Sequence, residues 1–196
     1  MATKAYIFIG QSGSGKGTQA ALLEQSIRST HPTGSILHFE TGNIFRSFIQ
    51  SDSYTAQKTK EVMAAGVLPA SFIGVHVWSH ELIASFSGQD FVIIDGTPRV
   101  AEEVPILLSA SKFYGWDTTV VYIEVSDAWA DERLRGRGRA DDLHDEERTA
   151  RLKWFHANVM SAIELLKIAP TVSFLTLNGE RSIEEIHQEI IQKIKI

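Results

Sequence analysis

The sequence predicts an α/β fold in which a parallel sheet of five strands is covered by helices on both faces. Short apolar runs recur along the chain, and segments with helical spacing lie between them. A glycine-rich loop follows the first apolar run directly. This alternation predicts right-handed crossovers between parallel strands, so bound ligands are expected at the carboxyl ends of the strands.

The first apolar run, Ala5 to Ile9, is typical of a strand buried on both faces because it is rich in aromatic and β-branched residues. Similar runs predict strands at Ile36 to Phe39, Phe91 to Ile94, Thr119 to Val125 and Val172 to Leu177. Helical spacing predicts helices at Thr18 to Arg28, Ala101 to Tyr114, Glu146 to Lys167 and Ser182 to Ile194. We interpret residues 1–196 as a single domain with two inserts, 42–75 and 133–151.

The composition excludes several classes of protein. Hydrophobic residues make up 43% and charged residues 22% of the 196 residues, which is ordinary for a globular protein with a real core. The net charge of -5 argues against nucleic acid as the main partner, and the absence of cysteine excludes disulfides and thiolate metal sites. No apolar stretch approaches the roughly 20 residues of a membrane span. We therefore expect a cytoplasmic monomer that binds neither nucleic acid nor membranes.

The loop after the first strand, GQSGSGKGT at residues 10–18, has the composition of a phosphate-binding loop. Its glycines permit backbone conformations that let successive N–H groups converge on phosphate oxygens, and the following helix adds its positive end. Lys16 is placed to reach the β- and γ-phosphates of a nucleotide. The expected ATP-binding residues of the loop are Gly13, Ser14, Gly15, Lys16, Gly17 and Thr18.

Two features of this loop leave alternatives open. The strict pattern has Ser or Thr directly after the lysine, whereas Gly17 intervenes before Thr18, so direct Mg²⁺ ligation by Thr18 does not follow. Glycines at this place could also form an ordinary turn between a strand and a helix. The setting of strand, loop and helix favours nucleotide phosphate as the ligand.

Motifs along almost the whole chain resemble those of adenylate kinases and the related UMP-CMP kinases. The loop itself has the form G-x-x-G-x-G-K-G-T-Q. Leu37 to Arg46 resembles a segment ending in T-G-D-x-L-R, Met63 to Pro69 resembles M-x-x-G-x-L-V-P, and Asp95 to Arg99 resembles D-G-F-P-R. Arg133 to Asp142, followed by Arg151, resembles the lid signature R-x-x-x-R-G…R-x-D-D…R-L. The chain is identified as a member of this family.

The resemblance implies transfer of the ATP γ-phosphoryl group to a nucleoside monophosphate. It assigns the monophosphate site to Thr41, Gly42, Arg46, Val67, Gly96, Arg99 and Glu103. It assigns Arg133 and Arg137 to ATP, and catalysis to Lys16, Arg99, Arg139 and Arg151. Arginine suits these roles because its planar fork binds two phosphate oxygens and keeps its charge. Taken one at a time, the same arginines would be interpreted as solvated surface charges.

Metal ligation is expected at one residue. Asp95 ends an apolar strand at the predicted ligand edge of the sheet, where it can hold Mg²⁺ through water; a helix N-cap or turn is the alternative. Asp141 and Asp142 resemble the lid aspartates, although a solvated pair explains them almost as well. His76 and His80 are four residues apart, but without a third ligand we interpret them as ordinary helix residues rather than a zinc site.

The acceptor base is predicted to be adenine, with GMP and UMP or CMP as alternatives. Thr41 matches adenylate kinases, whereas Glu103 stands where the family has a glutamine that reads adenine. An ionised carboxylate only accepts hydrogen bonds and would suit guanine better. Asn43 replaces the usual aspartate, Thr97 replaces an aromatic residue, and the lid is contracted. A P-loop kinase for a non-nucleotide acceptor and a nucleotide sensor without turnover are more distant alternatives.

Overall fold

The sheet has five parallel strands in the order β2-β3-β1-β4-β5, which confirms the predicted fold class. The computed structural model describes residues 2–64, 69–137 and 144–196, and the side chain of Arg137 lies outside this part. The strands are β1 (Lys4–Ile9), β2 (Ile36–Glu40), β3 (Phe91–Asp95), β4 (Asp117–Glu124) and β5 (Ser173–Asn178). Each differs from its predicted bounds by at most two residues at either end.

The helices of the described ranges connect these strands and cover the sheet. They are α1 (Lys16–Thr30), α2 (Thr41–Gln50), α3 (Tyr54–Ala64), α4 (Ser71–Ser85), α5 (Glu103–Tyr114), α6 (Asp127–Arg137), α7 (Asp145–Trp154), α8 (Met160–Lys167) and α9 (Ile183–Ile194). A π-helical turn, Phe155–Val159, joins α7 to α8. No described helix has the length and apolar character needed to cross a membrane.

The two faces of β1 pack against different helices, because successive side chains of a strand point to opposite sides. Ala5, Ile7 and Ile9 belong to one core cluster together with residues of α4, α5 and α8. Tyr6 and Phe8 belong to a second cluster together with residues of α1 and α9. All five side chains are buried, as the apolar run predicts.

Helices α2, α3, α4 and α6 lie outside the four segments for which helical spacing predicts a helix, and α4 is the longest of them. Its residues Trp78 and Leu82 are buried, but its apolar residues Phe72 and Ile83 are exposed, so the sequence lacks the clean stripe of an amphipathic helix. The helix packs on α2 and α5. Because α4 packs beside α5, its Gly74 lies close to Glu103, a residue of the site described below.

The strand register brings the carboxyl ends of neighbouring strands together. Glu40 at the end of β2 is aligned with Asp95 at the end of β3, and Asp95 is also aligned with Phe8 of β1. The chain segments that follow these strands therefore meet at one edge of the sheet. This edge carries most of the residues that the sequence predicts to be functional.

Candidate active site

The phosphate loop has a backbone that requires glycine. Gly13 and Gly15 have φ values of 90° and 87°, in the left-handed region that favours glycine. A Cβ atom on Gly13 would lie 2.6 Å from the carbonyl oxygen of Ala130 in α6. The buried Gln11 anchors the loop, since its Nε2 donates to the carbonyl oxygens of Val125 and Ser126, both at 3.1 Å.

Lys16 begins helix α1, and its Nζ donates to the carbonyl oxygen of Gln11 at 3.5 Å. The Oγ of Ser14 is buried and has no hydrogen-bond partner among residues 2–64, 69–137 and 144–196. The loop therefore holds the lysine charge beside a buried polar group and the amino end of α1. Such an arrangement suits an anion.

Asp95 presents a buried carboxylate next to this loop. The residue is only 4% exposed, and its Oδ1 has no hydrogen-bond partner in the described part of the chain. A Cβ atom on Gly17 would lie 3.0 Å from its Oδ2. Burial raises the pKa of Asp95, while the nearby charges of Lys16 and Arg99 oppose that rise. An unpaired oxygen beside a phosphate loop fits a water-mediated Mg²⁺ site, and no described helix begins on Asp95 as the N-cap alternative requires.

Two guanidinium groups converge on Gly42 at the start of α2. A Cβ atom on Gly42 would lie 3.3 Å from Nη2 of Arg99 and 3.4 Å from Nη1 of Arg46. The Nε of Arg99 donates to the carbonyl oxygen of Gly96 at 2.9 Å, which fixes the direction of that side chain. Burial lowers the pKa of Arg99, and the charges of Arg46 and Arg151 lower it further. Two of the predicted arginines, Arg46 and Arg99, are thus close together, and the charge of Arg151 also acts on Arg99.

Glu103 and Thr41 use their polar atoms within the protein. The Oε2 of Glu103 accepts a hydrogen bond from the backbone N–H of Arg99 at 3.1 Å, and burial raises the pKa of this carboxyl. A Cβ atom on Gly74 in α4 would lie 2.7 Å from its Oε1. The hydroxyl of Thr41 donates to the Thr97 hydroxyl at 3.0 Å. Glu103 therefore supports the loop that carries Arg99 and does not face solvent.

A pocket beside the phosphate loop is lined partly by residues that the sequence analysis did not predict. Its lining comprises Gly13, Ser14, Gly15, Thr18, Gln19, Trp129, Arg133, Gly179, Arg181, Ile183 and Ile186. The guanidinium of Arg133 lies over the Trp129 ring at 5.0 Å from its centroid. Gly179 and Arg181 follow β5, so the rule that ligands gather at the carboxyl ends of strands could have found them.

Several predicted residues fall outside the described ranges. They are Val67, Arg139, Asp141, Asp142 and the side chain of Arg137. In α7, which follows the second of these ranges in the sequence, the buried Arg148 links α7 to α6, because its Nε donates to Asp131 Oδ1 at 2.8 Å. Arg148 also pairs with Asp145 in α7 itself. The rings of His76 and His80 stack on α4, and no group of three potential metal ligands occurs in the described ranges.

The phosphate loop, its lysine and the converging arginines at the edge of a parallel sheet define a P-loop phosphotransferase. Residues 8–169 match the family described as adenylate kinase. The chain is 31% identical to the adenylate kinase of Campylobacter hominis over 188 residues, which cover 94% of this chain and 92% of that protein. The adenylate kinase of Nautilia profundicola is 31% identical over 196 residues, covering 98% and 96% of the two chains, respectively.

A third relative, the adenylate kinase of Prochlorococcus marinus (strain MIT 9515), is 30% identical over 192 residues, covering 97% of this chain and 98% of the relative. This chain belongs to the adenylate kinase family. It is a phosphotransferase and a nucleoside monophosphate kinase of that family. ATP and a nucleoside monophosphate are its substrate classes.

Replacing Asp95 by Asn is expected to stabilise the fold at neutral pH and to lower activity. Because burial raises the pKa of Asp95, the folded protein binds this proton more tightly than the unfolded chain, and stability falls as the pH rises above the ordinary carboxyl pKa of 3.8. Asp95→Asn avoids that loss. We expect a Tm higher by roughly 2–4 °C per 1 kcal/mol gained at pH 8, with the gain shrinking towards pH 4.

Asp90→Asn is the matched control for this measurement, because hydrogen bonds from Ser35 lower the pKa of Asp90 instead. Thermal unfolding followed by circular dichroism at pH 4 and pH 8 should give changes of opposite sign for the two variants at pH 8. A lower Tm for Asp95→Asn at pH 8 would contradict the argument.

Proposed function

We propose that this chain transfers the γ-phosphoryl group of Mg·ATP to AMP and produces two molecules of ADP. The observation that carries the proposal is the position of Asp95 between the phosphate loop and the arginine pair. A Cβ atom on Gly17 of the loop would lie 3.0 Å from Oδ2 of Asp95, and a Cβ atom on Gly96, the residue after Asp95, would lie 3.6 Å from Nη2 of Arg99. A donor phosphate on the loop and an acceptor phosphate on the arginines would then lie close together.

The chemistry needs positive charge on both sides of the transferred group, because phosphoryl transfer is promoted mainly by positioning and by stabilisation of spread negative charge. On the donor side we propose the loop residues 13–18, with Lys16 following the migrating group and Arg133 beside the pocket next to the loop. On the acceptor side we propose Arg46 and Arg99, with Arg151 completing the set of cations. Arg137, Arg139, Val67 and Gly96 keep the roles that the family resemblance implies.

Asp95 is the residue that we propose for Mg²⁺, through a metal-bound water. Its buried and unpaired Oδ1 next to the loop supports this role. When bound with ATP, Mg²⁺ would neutralise charge on the phosphate oxygens. Asp95 would orient the hydration shell of the ion, and its charge would at the same time balance Lys16 and Arg99.

AMP is the proposed acceptor because the relatives reported above are adenylate kinases and because Thr41 matches their motif. GMP is a second candidate that one residue favours. Glu103 carries a carboxylate where the family has an amide, and a carboxylate could accept from the N1–H and N2 amine of guanine. Its hydrogen bond to the Arg99 backbone supports a structural role instead.

Coupled assays with ATP plus AMP, GMP, UMP or CMP test this function directly. We expect the highest kcat/KM with AMP and loss of turnover when Mg²⁺ is removed by a chelator and not replaced. A preference for another monophosphate would refute the acceptor assignment alone. Absence of transfer to all four, despite ATP binding, would refute the reaction.

Lys16→Met is expected to remove most phosphoryl transfer without unfolding the protein, since the loop backbone and Gln11 hold the turn. Loss of one such electrostatic contact costs about 100- to 1,000-fold in kcat. Lys112→Met is the matched control, because Lys112 is exposed near the end of α5 at the opposite edge of the sheet. Steady-state kinetics and Tm are measured for both, and near wild-type turnover in folded Lys16→Met would contradict the role.

Glu103→Gln separates a base-reading role from a structural one. If the carboxylate contacts the base, the substitution should raise the ratio of AMP to GMP kcat/KM by about 5- to 150-fold. We expect a change below that range, because the glutamine oxygen can still accept from the Arg99 N–H. Glu102→Gln, at the exposed neighbouring residue, is the control. A ratio that rises within the range only for Glu103→Gln would contradict the structural interpretation.

A further inference from the structure

Glu40 adds a carboxylate to the acceptor side of the site, next to Arg46 and Arg99. It is the last residue of β2 and directly precedes Thr41 and Gly42. Its Oε1 accepts a hydrogen bond from Nη2 of Arg46 at 3.3 Å, and its Oε2 accepts from Nδ2 of Asn43 at 2.6 Å. The Oδ1 of Asn43 in turn accepts from the same Nη2 of Arg46. Glu40, Asn43 and Arg46 thus form a closed hydrogen-bonded triad.

The triad fixes one terminal nitrogen of Arg46, and the other terminal nitrogen lies beside Gly42. Nη2 contacts Glu40 and Asn43, and Nη1 lies close to the Cβ position of Gly42, as do Nη2 of Arg99 and Oε1 of Glu40. The guanidinium of Arg46 would otherwise be repelled by Arg99, whose pKa is lowered by burial and by Arg46 itself. The Glu40 carboxylate, which lies beside both guanidinium groups, offsets this repulsion.

Of the three residues of the triad, Glu40 is the one that carries a negative charge. Asn43 stands where the family motif T-G-D-x-L-R has an aspartate, so residue 43 contacts Arg46 but carries no charge. The carboxylate of Glu40 is three residues earlier in the sequence and reaches the same nitrogen of Arg46. Within the triad, the anionic partner of Arg46 is therefore residue 40.

We propose that Glu40 is a positioning residue for the acceptor monophosphate, which holds the Arg46 guanidinium ready to bind the phosphate together with Arg99. This inference rests on the acceptor site of the proposed function. Because Arg46 is 40% exposed and Glu40 is 32% exposed, the effect is expected to be moderate rather than large. The effect should appear in the affinity for the acceptor and not in the affinity for ATP, since Glu40 and Arg46 both lie at the Gly42 end of the site.

Glu40→Gln tests the proposal, because it removes the charge and keeps the shape and one acceptor oxygen. Calorimetric titration with AMP, GMP, UMP and CMP, and separately with ATP, should show the Kd of the best monophosphate raised about 5-fold and the ATP Kd changed less than 2-fold. The KM of that monophosphate should rise by the same factor, with kcat within 2-fold. The Tm of each variant reports whether the fold is retained.

A second substitution provides the rescue. Asn43→Asp in the Glu40→Gln background puts a negative charge on residue 43, whose Oδ1 already accepts a hydrogen bond from Arg46. It should return the Kd of the acceptor to within 2-fold of wild type. Glu24→Gln is the matched control, because Glu24 is a partly exposed carboxylate that pairs with Arg28 and His38 away from Gly42. It should leave both Kd values unchanged.

The outcomes separate this inference from the proposed function. An unchanged or lower acceptor Kd in Glu40→Gln, an equal rise in the ATP Kd, or failure of Asn43→Asp to rescue would overturn the role of Glu40 while leaving the kinase reaction in place. Wild-type protein that binds ATP and none of the four monophosphates would overturn both.

Discussion

The repulsion between positive charges at one edge of the sheet is the constraint on which the site depends. In the proposed reaction Arg46, Arg99 and Arg151 would all serve anionic substrates, yet like charges at one partly buried place repel one another. Burial is the main cause that lowers the pKa of Arg99; the charges of Glu103 and Asp95 raise it, and those of Arg46 and Arg151 lower it. The protein meets the constraint by placing carboxylates of fixed position among the cations.

The parallel sheet provides those positions. The register aligns Glu40 with Asp95 at the carboxyl ends of β2 and β3, and Phe8 of β1, just before the phosphate loop, is aligned with the same aspartate. The backbones must also come close, and Gly17 and Gly42 make this possible, since a Cβ atom on either would crowd the charged groups. Strand register and the close approach of the backbones together fix the distances between these charged groups, which flexible side chains alone could not maintain.

The features that could be predicted are those that depend on a local pattern in the sequence. Apolar runs and a glycine loop predicted the sheet, and short motifs selected Lys16, Asp95 and Arg99 as candidate site residues, because in each case the neighbouring residues carry the signal. Two contacts of Glu103 in α5 were not predictable: the hydrogen bond that it accepts from the Arg99 backbone, and its close approach to Gly74. The first joins α5 to a loop, and the second joins it to α4, whose apolar residues do not follow a clear helical period. The pocket that Trp129 and Arg133 line was not predictable either, because it combines α6 with the phosphate loop and with residues after β5, which are distant from α6 in the sequence.

Charge balance also connects stability with catalysis. A buried carboxylate such as Asp95, whose pKa is raised by burial, weakens the fold at neutral pH in its ionised form. In the proposed reaction, substrate phosphates would bring negative charge to the arginines, so binding would relieve part of the repulsion between them. Asp95 and the arginines would therefore weaken the free protein and still serve the site, the carboxylate by holding a metal-bound water and the arginines by binding phosphate.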